Sequence, residues 1–475
     1  MFTHRKPSLV NTSSVSERSQ VPANVHLWSA DLVVPITAPS VLGGAVAVLN
    51  GRIEHIGSRD WVIATLRERG MTYTETHVPG VLLPGFVNAH THLQYTNMAE
   101  VGLRQYDGFP SWMAAFDAIY DAGPLDWETS AAQGAEYMLR YGATCVADVV
   151  TDPEAASALH DAGLHGVAYW EVMGYSNEEW AQRGVSSVHS ALEKMPTPPA
   201  IGISPHAPYS LEVAPLLEIP DLARRRGLRL HIHLGEAQME ARWDDVEGGA
   251  ALADLWRNEK SASFTSIRQA GVGFSATEFV DQLGVLGPDC HIAHGVYMTA
   301  DDRRRLRARS TAVALCPRSN AVIGLDEPPV AAYLSEGNLI AVGTDSLSSS
   351  PSLDILEDVA LLYDIARRQG YGSSDLSRRL LQAATLGGAT ALGLATGQHR
   401  VGQLQAGALA DMVVVDVPVT DVMSTIECVV REGAGRQVAT IIEGQLRYAA
   451  TNFPHDDVAG HSADSSVFPT HTVKG

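Results

Sequence analysis

The chain has 475 residues, 45% hydrophobic and 19% charged, enough apolar side chain for a large core, which excludes a disordered or fibrous class. Lys plus Arg number 34 against 54 Asp plus Glu, and the net charge of −20 repels phosphate backbones and anionic lipid surfaces, which argues against nucleic-acid and membrane partners. Cys145, Cys290, Cys316 and Cys428 form no CxxC pair, and no apolar run reaches the roughly 18 residues that span a bilayer; without a signal-like N-terminus the expected setting is a reduced cytoplasm.

In chain order, residues 1–24, rich in serine and poor in apolar residues, read as a mobile tail. Leu32–Val34, Gly44–Leu49 and Arg52–Ile56 follow as short strands, the last two joined at the turn dipeptide Asn50-Gly51. The middle gives eight candidate strands: Val81–Ala89, Thr144–Val149, Gly166–Val172, Ala200–Ser204, Leu228–Leu234, Cys290–Ala293, Thr311–Cys316 and Leu339–Gly343. Helical stretches such as Gly134–Arg140 and Leu353–Arg368 separate them. Valine- and isoleucine-rich runs return at Asp411–Asp416 and Val438–Gly444. The organisation expected is a small β-sandwich-like module from both chain ends (25–80 and 400–450), an α/β barrel over 81–399, and a second tail over 451–475. The βα alternation also fits an open doubly wound sheet; the polar residues at the strand ends favour a closed (β/α)₈ barrel of the TIM type.

Those polar residues are specific. His90 and His92 stand two apart at the end of an apolar strand, so their side chains project to one side, as a metal site needs. His206, His233, His294 and Asp345 each end or follow a later candidate strand. In a parallel barrel all these ends meet at one mouth, and reading them all as structural residues requires several independent coincidences. Glu236 lies three residues beyond His233.

The segments Pro84–His92, His231–Glu236, Ala293-His294-Gly295 and Gly343-Thr344-Asp345 resemble the amidohydrolase superfamily, over a span from about Leu32 to Gly444. Within it the pattern is similar to the mononuclear deaminase and chlorohydrolase branch. That resemblance implies one divalent metal held by His90, His92, His233 and Asp345, Zn²⁺ as the first assignment and Fe²⁺ as the alternative. The end of the fourth strand carries Ser204-Pro205-His206 and no lysine, which favours one metal over a bridged pair. By resemblance, Glu236 shuttles a proton from the attacking water to the substrate, Asp345 takes another proton, and His294 orients the water.

Gln94, Trp112, His206 and Arg318 are the candidate substrate contacts, since aromatic and amide groups suit a flat heterocycle. The combination resembles deaminases of aminodeoxyfutalosine in menaquinone biosynthesis, with Gln94 standing where many members carry a glutamate. The expected activity is hydrolytic deamination of a 6-aminopurine nucleoside, aminodeoxyfutalosine first, with release of ammonia. The alternatives are adenosine, methylthioadenosine or S-adenosylhomocysteine as substrate, or a chlorohydrolase or deaminase of another heterocycle. A barrel without catalysis, kept for assembly, is the reading from another class, and homo-oligomerisation stays open.

Overall fold

Short runs of Val, Ile, Leu and Ala stopped by Gly, Asn or Asp dictate strands, and the computed structural model shows fifteen of them among its described residues: 24–123, 125–238, 240, 275–451 and 453. The two expected tails lie outside those residues except for Asn24, Thr451 and Phe453.

The chain begins with Asn24–Val33 (β1), Val41–Leu49 (β2), Arg52–Ser58 (β3) and Thr72–Pro84 (β4). It ends with Met412–Val415 (β13), Gln437–Ile442 (β14) and Gln445–Ala449 (β15). These seven form one sheet in the order β15-β14-β13-β4-β1-β2-β3. The two chain ends meet where β13 runs antiparallel to β4, with Met412 opposite Pro84 and Val415 opposite Val81. A helix over Arg59–Glu68, absent from the sequence reading, covers one face with Val62, Ile63 and Leu66 against Val25, Leu27 and Ala47.

The expected strand Val81–Ala89 is two strands. Its first residues finish β4, and Phe86–Thr91 (β5) opens the barrel. The break falls at Gly85, where a Cβ would lie 2.2 Å from Thr144 Oγ1, while the Gly85 N–H donates to the Asp411 carbonyl at 2.9 Å. Only glycine lets the backbone pass that close.

Seven further strands complete the barrel: Ala143–Val150 (β6), His165–Val172 (β7), Ala200–Pro205 (β8), Arg229–Leu234 (β9), Cys290–His294 (β10), Ala312–Leu315 (β11) and Ile340–Val342 (β12). Each lies within a residue or two of its expected bounds. All neighbours from β5 to β12 pair in parallel, and their near-continuous burial explains why they read as unbroken apolar runs. The curl closes at the mouth, where the N–H groups of Thr344 and Asp345 donate to the His90 carbonyl at 3.1 and 3.0 Å. The open doubly wound alternative is thereby excluded.

Helix Trp127–Arg140 contains the expected Gly134–Arg140, and Ile355–Arg368 begins two residues after the expected start at Leu353; each starts at an aspartate, Asp126 or Asp354, that accepts a hydrogen bond from a first-turn N–H. All four cysteines are free thiols. No helix among the described residues is long and apolar enough to cross a membrane.

Candidate active site

Because side chains alternate along a strand, the residues that end β5, β9, β10 and β12 face one another across the barrel mouth. His92 Nε2 lies 3.3 Å from His233 Nε2, His90 Nε2 lies 3.6 Å from Asp345 Oδ1, and His92 Nε2 lies 4.0 Å from that same oxygen. Ligand atoms of His90, His92 and Asp345 fall within 4.8 Å of one another, as do those of His90, His233 and His294, and those of Glu236, His294 and Asp345. All six residues are buried.

Two of them hold backbone conformations that non-glycine residues rarely adopt: His294 has φ 72° and Asp345 φ 56°. Left-handed backbone at such residues is strained, and it persists where surrounding hydrogen bonds fix it. For Asp345 those are its own N–H to the His90 carbonyl, and two donors to its carboxylate, Ser319 Oγ at 2.7 Å and the Ser346 N–H at 2.8 Å.

The imidazoles are oriented from behind. His233 Nδ1 lies 3.1 Å from the His206 carbonyl oxygen, and His294 Nδ1 lies 3.2 Å from Asn320 Oδ1. Both acceptors require the proton on Nδ1, which leaves each Nε2 lone pair facing the centre. Burial, reinforced for His92 by neighbouring imidazoles, pulls the His92 pKa down to about 3 and that of His294 to about 4, so both rings are neutral as ligands must be. Both ring nitrogens of His90, and Nε2 of His294, are buried without a hydrogen-bond partner. Unpaired buried nitrogens are costly; a divalent cation at the centre would take one nitrogen of His90 together with the Asp345 carboxylate, and a water beside it would meet His294 Nε2. The donor set fits such an ion.

Glu236 sits on a turn held by Glu240, whose carboxylate accepts from the N–H groups of Gly235, Glu236 and Ala237 at 3.0, 2.8 and 3.0 Å. Its Oε1 lies 3.5 Å from His294 Nε2. Burial first, then the nearby carboxylates of Asp345, Glu240 and Glu171, raises the Glu236 pKa well above the ordinary range. Burial also opposes ionisation of Asp345, but His90 foremost, with His294 and His92, outweighs it and holds that carboxyl well below its usual value. Two adjacent carboxyl groups pushed in opposite directions are the arrangement by which a site separates an acid-base residue from a permanently ionised one.

Above the centre opens a cavity of about 910 Å³, its mouth included. One wall is a stripe of Phe109, Trp112, Phe116 and Tyr120 on the helix Phe109–Tyr120, successive rings 5.5 to 5.7 Å apart. Trp112 and His206 therefore line the cavity as expected, Trp112 Nε1 donating to the Ser348 carbonyl at 2.9 Å and His206 Nδ1 meeting Ser210 Oγ at 2.7 Å.

Gln94 and Arg318 are placed elsewhere. Gln94 is 1% exposed and spends its amide on Thr151 and Asp152, accepting from the Thr151 N–H at 2.9 Å and donating to Asp152 Oδ2 at 3.0 Å. Arg318 lies behind the wall, bound to Asp358 at 2.7 Å, to Glu357 and to Ser352. It ties the helix Pro317–Ile323 to Ile355–Arg368 and lines no part of the cavity. His231 is fully buried and stacks on His90 with ring centroids 4.8 Å apart.

The family model for the amidohydrolase family matches residues 81–447. The chain belongs to that family. This amidohydrolase is 27% identical over 457 residues to a 5-methylthioadenosine/S-adenosylhomocysteine deaminase of Nitratidesulfovibrio vulgaris strain Hildenborough, covering 92% of this chain and 95% of the relative. It is 29% identical over 361 residues to an aminodeoxyfutalosine deaminase of Deinococcus radiodurans, covering 74% of this chain and 81% of the relative. Its fold matches that of an adenosine deaminase from Xanthomonas campestris, a structure with bound zinc, with a TM-score of 0.73 and 24% identity over 92% of this chain and 96% of that one.

The sequence reading of this amidohydrolase missed Glu171, which ends β7 in the cavity wall, together with Ser319, Asn320 and Glu240, which orient other site residues. For Glu171 a signal existed: it is a lone carboxylate closing the apolar run Val167–Val172, the same position in its strand that marked the histidines.

Proposed function

We propose that this amidohydrolase is a hydrolytic deaminase of a 6-aminopurine nucleoside, with aminodeoxyfutalosine the first candidate and 5′-substituted adenosines the next. The observation that carries the reading is the cluster of His90, His92, His233, His294, Glu236 and Asp345 at the barrel mouth, beneath an aromatic-walled cavity, with Glu236 and Asp345 pushed in opposite directions. The relatives named for deamination of methylthioadenosine, S-adenosylhomocysteine and aminodeoxyfutalosine support it.

His90, His92, His233 and Asp345 would hold one divalent ion, zinc by preference for three imidazoles and a carboxylate. When bound, that ion supplies the Lewis acidity that lets water ionise near neutral pH. The chain's own groups do the rest. Glu236 takes a proton from the attacking water and returns it to a ring nitrogen beside the carbon under attack, which its raised proton affinity suits. His294, fixed through Asn320, orients the water by Nε2. Asp345, ionised, accepts the second proton and passes it to the departing amine. A carbon–oxygen bond forms, the carbon–nitrogen bond breaks, and ammonia leaves. The aromatic stripe offers faces on which a flat ring stacks.

The test is ammonia release across a panel of aminodeoxyfutalosine, adenosine, methylthioadenosine, S-adenosylhomocysteine and free adenine, guanine and cytosine, with metal content measured on the active protein. Nucleosides are expected to exceed free bases in kcat/KM, with one ion per chain. A free-base preference overturns the nucleoside assignment, and two ions per active chain overturn the mononuclear one. Highest efficiency on aminodeoxyfutalosine would place the enzyme in menaquinone biosynthesis.

A further inference from the structure

Glu171 has no part in the chemistry above, yet it occupies the cavity wall. It is 6% exposed and stands on the inward face of β7, two residues beyond Tyr169, whose ring packs 5.5 Å from that of His231 in the barrel interior. Its Oε1 accepts from Ser204 Oγ at 3.3 Å and lies 3.6 Å from His233 Nδ1. Its other oxygen receives no hydrogen bond from the described residues. A buried carboxyl with so few donors is unfavourable unless a ligand supplies more.

The position is also particular. The main cavity and a second space of about 660 Å³, its mouth included, share Tyr120, Thr151, Glu171 and Met173, so Glu171 lines both. His233 turns Nε2 towards the catalytic centre and Nδ1 towards Glu171. The His233 imidazole thus stands between Glu171 and His92.

A second cation is the obvious competitor, since ligand atoms of Glu171, His206 and His233 lie within 4.8 Å of one another. The His233 Nδ1 proton is already given to the His206 carbonyl at 3.1 Å, which removes that nitrogen as a ligand. What remains is a carboxyl group in the cavity wall, and the hydrogen-bonding groups a nucleoside carries away from its base are the sugar hydroxyls. A carboxylate accepts two such hydroxyls at once, which is why acidic side chains recognise ribose elsewhere. Gln94, another expected substrate contact, is engaged with Thr151 and Asp152 and does not compete.

We propose that Glu171 is a specificity residue of this enzyme, accepting hydrogen bonds from the sugar hydroxyls of the nucleoside and leaving its 5′ substituent to enter the second cavity. The inference rests on the nucleoside deaminase reading. Its test compares kcat/KM for adenosine and 2′,3′-dideoxyadenosine, with free adenine alongside, in the parent, Glu171→Leu and Glu171→Gln, together with metal content and thermal unfolding of each. The parent should favour adenosine over the dideoxy compound by about 10-fold, the upper range of the net worth of a hydrogen bond to an uncharged group. Glu171→Leu should bring that ratio close to one, chiefly through KM for adenosine, at parental metal content. Glu171→Gln keeps the side-chain volume and guards against a folding loss in the leucine variant; its ratio should also fall.

Retention of the parental ratio in either folded variant overturns the proposal. So does an equal loss of kcat on both substrates accompanied by loss of metal, which would show that the carboxyl serves only to position His233. A parent that deaminates nucleosides without distinguishing the dideoxy compound refutes this inference alone. A parent that deaminates only free bases refutes the nucleoside reading and the inference with it.

Discussion

Replacing Glu236 by glutamine tests the proposed proton transfer apart from the other properties of the site. The amide preserves the side chain's length and volume, and the turn beneath it is held by Glu240 through three backbone N–H groups that the substitution leaves in place. Glu236 stands 3.5 Å from His294 Nε2 and outside the set His90, His92, His233 and Asp345, so metal retention should not change. Lost is a carboxyl beside His294 Nε2 whose proton affinity is raised by burial and by three neighbouring carboxylates, the group proposed to take and return the proton. General acid-base catalysis of this kind is worth about 10²- to 10⁴-fold, or about 3 to 5 kcal/mol of barrier. Glu236→Gln is therefore expected to lose that factor in kcat for ammonia release, with parental metal content and a substrate-analogue Kd within a few-fold of the parent. A turnover rate near the parent's, or a loss of metal in step with activity, would refute the assignment.

His206→Ala should act on substrate binding, because His206 lines the cavity while only its backbone carbonyl orients His233; KM is expected to rise by more than kcat falls, measured by steady-state kinetics. Arg318→Met should instead act on stability: it strands Asp358, which is fully buried, and removing one partner of a buried pair costs about 3 to 5 kcal/mol, visible as a lower midpoint in denaturant unfolding. An Arg318→Met protein of parental stability and raised KM would return Arg318 to the substrate site.

The barrel and its metal-ligand candidates were legible because each rests on a one-dimensional signal. Parallel strands buried on both sides write themselves as unbroken apolar runs, and a histidine or aspartate at the end of such a run stands out. The module from the chain ends was legible in the same way, except that its join to the barrel at Gly85 depends on the approach of Thr144, about sixty residues away, which no local pattern reports. Loop side chains failed for a related reason. Gln94 follows the His90-Thr91-His92 motif closely, but a 3₁₀ turn over Leu93–Met98 carries it towards Thr151 and away from the cavity. Arg318 directly follows the end of β11, yet Asp358, forty residues on, decides where its guanidinium points. Glu171 and Glu240 were readable in principle by position, one at a strand end and one four residues after Glu236, but neither belongs to a motif that singles it out.

Closure of the barrel and assembly of the metal site are one event in this fold, and a single methyl group tests that. Gly343 follows β12, and a Cβ there would lie 2.8 Å from His90 Cβ, 3.0 Å from the His90 carbonyl oxygen and 2.9 Å from Cys316 Sγ. That carbonyl accepts the Thr344 and Asp345 N–H groups that join the last strand to the first, and Asp345 keeps its left-handed φ of 56° only while that bond stands. Two of the three neighbours are a backbone atom and a Cβ fixed to it, so they cannot swing aside as a flexible side chain would. Gly343→Ala should push β12 off β5, at the overpacking cost of about 1 to 3 kcal/mol, and displace Asp345 from the imidazoles. The expected result is a folded protein with metal affinity and turnover both lowered by about 10- to 100-fold, the range seen when support of a ligand is lost. Gly372→Ala, which meets no atom within 4 Å, is the control. Metal titration with thermal unfolding of both variants decides the matter: parental metal affinity in Gly343→Ala would show that the barrel closes independently of its ligands.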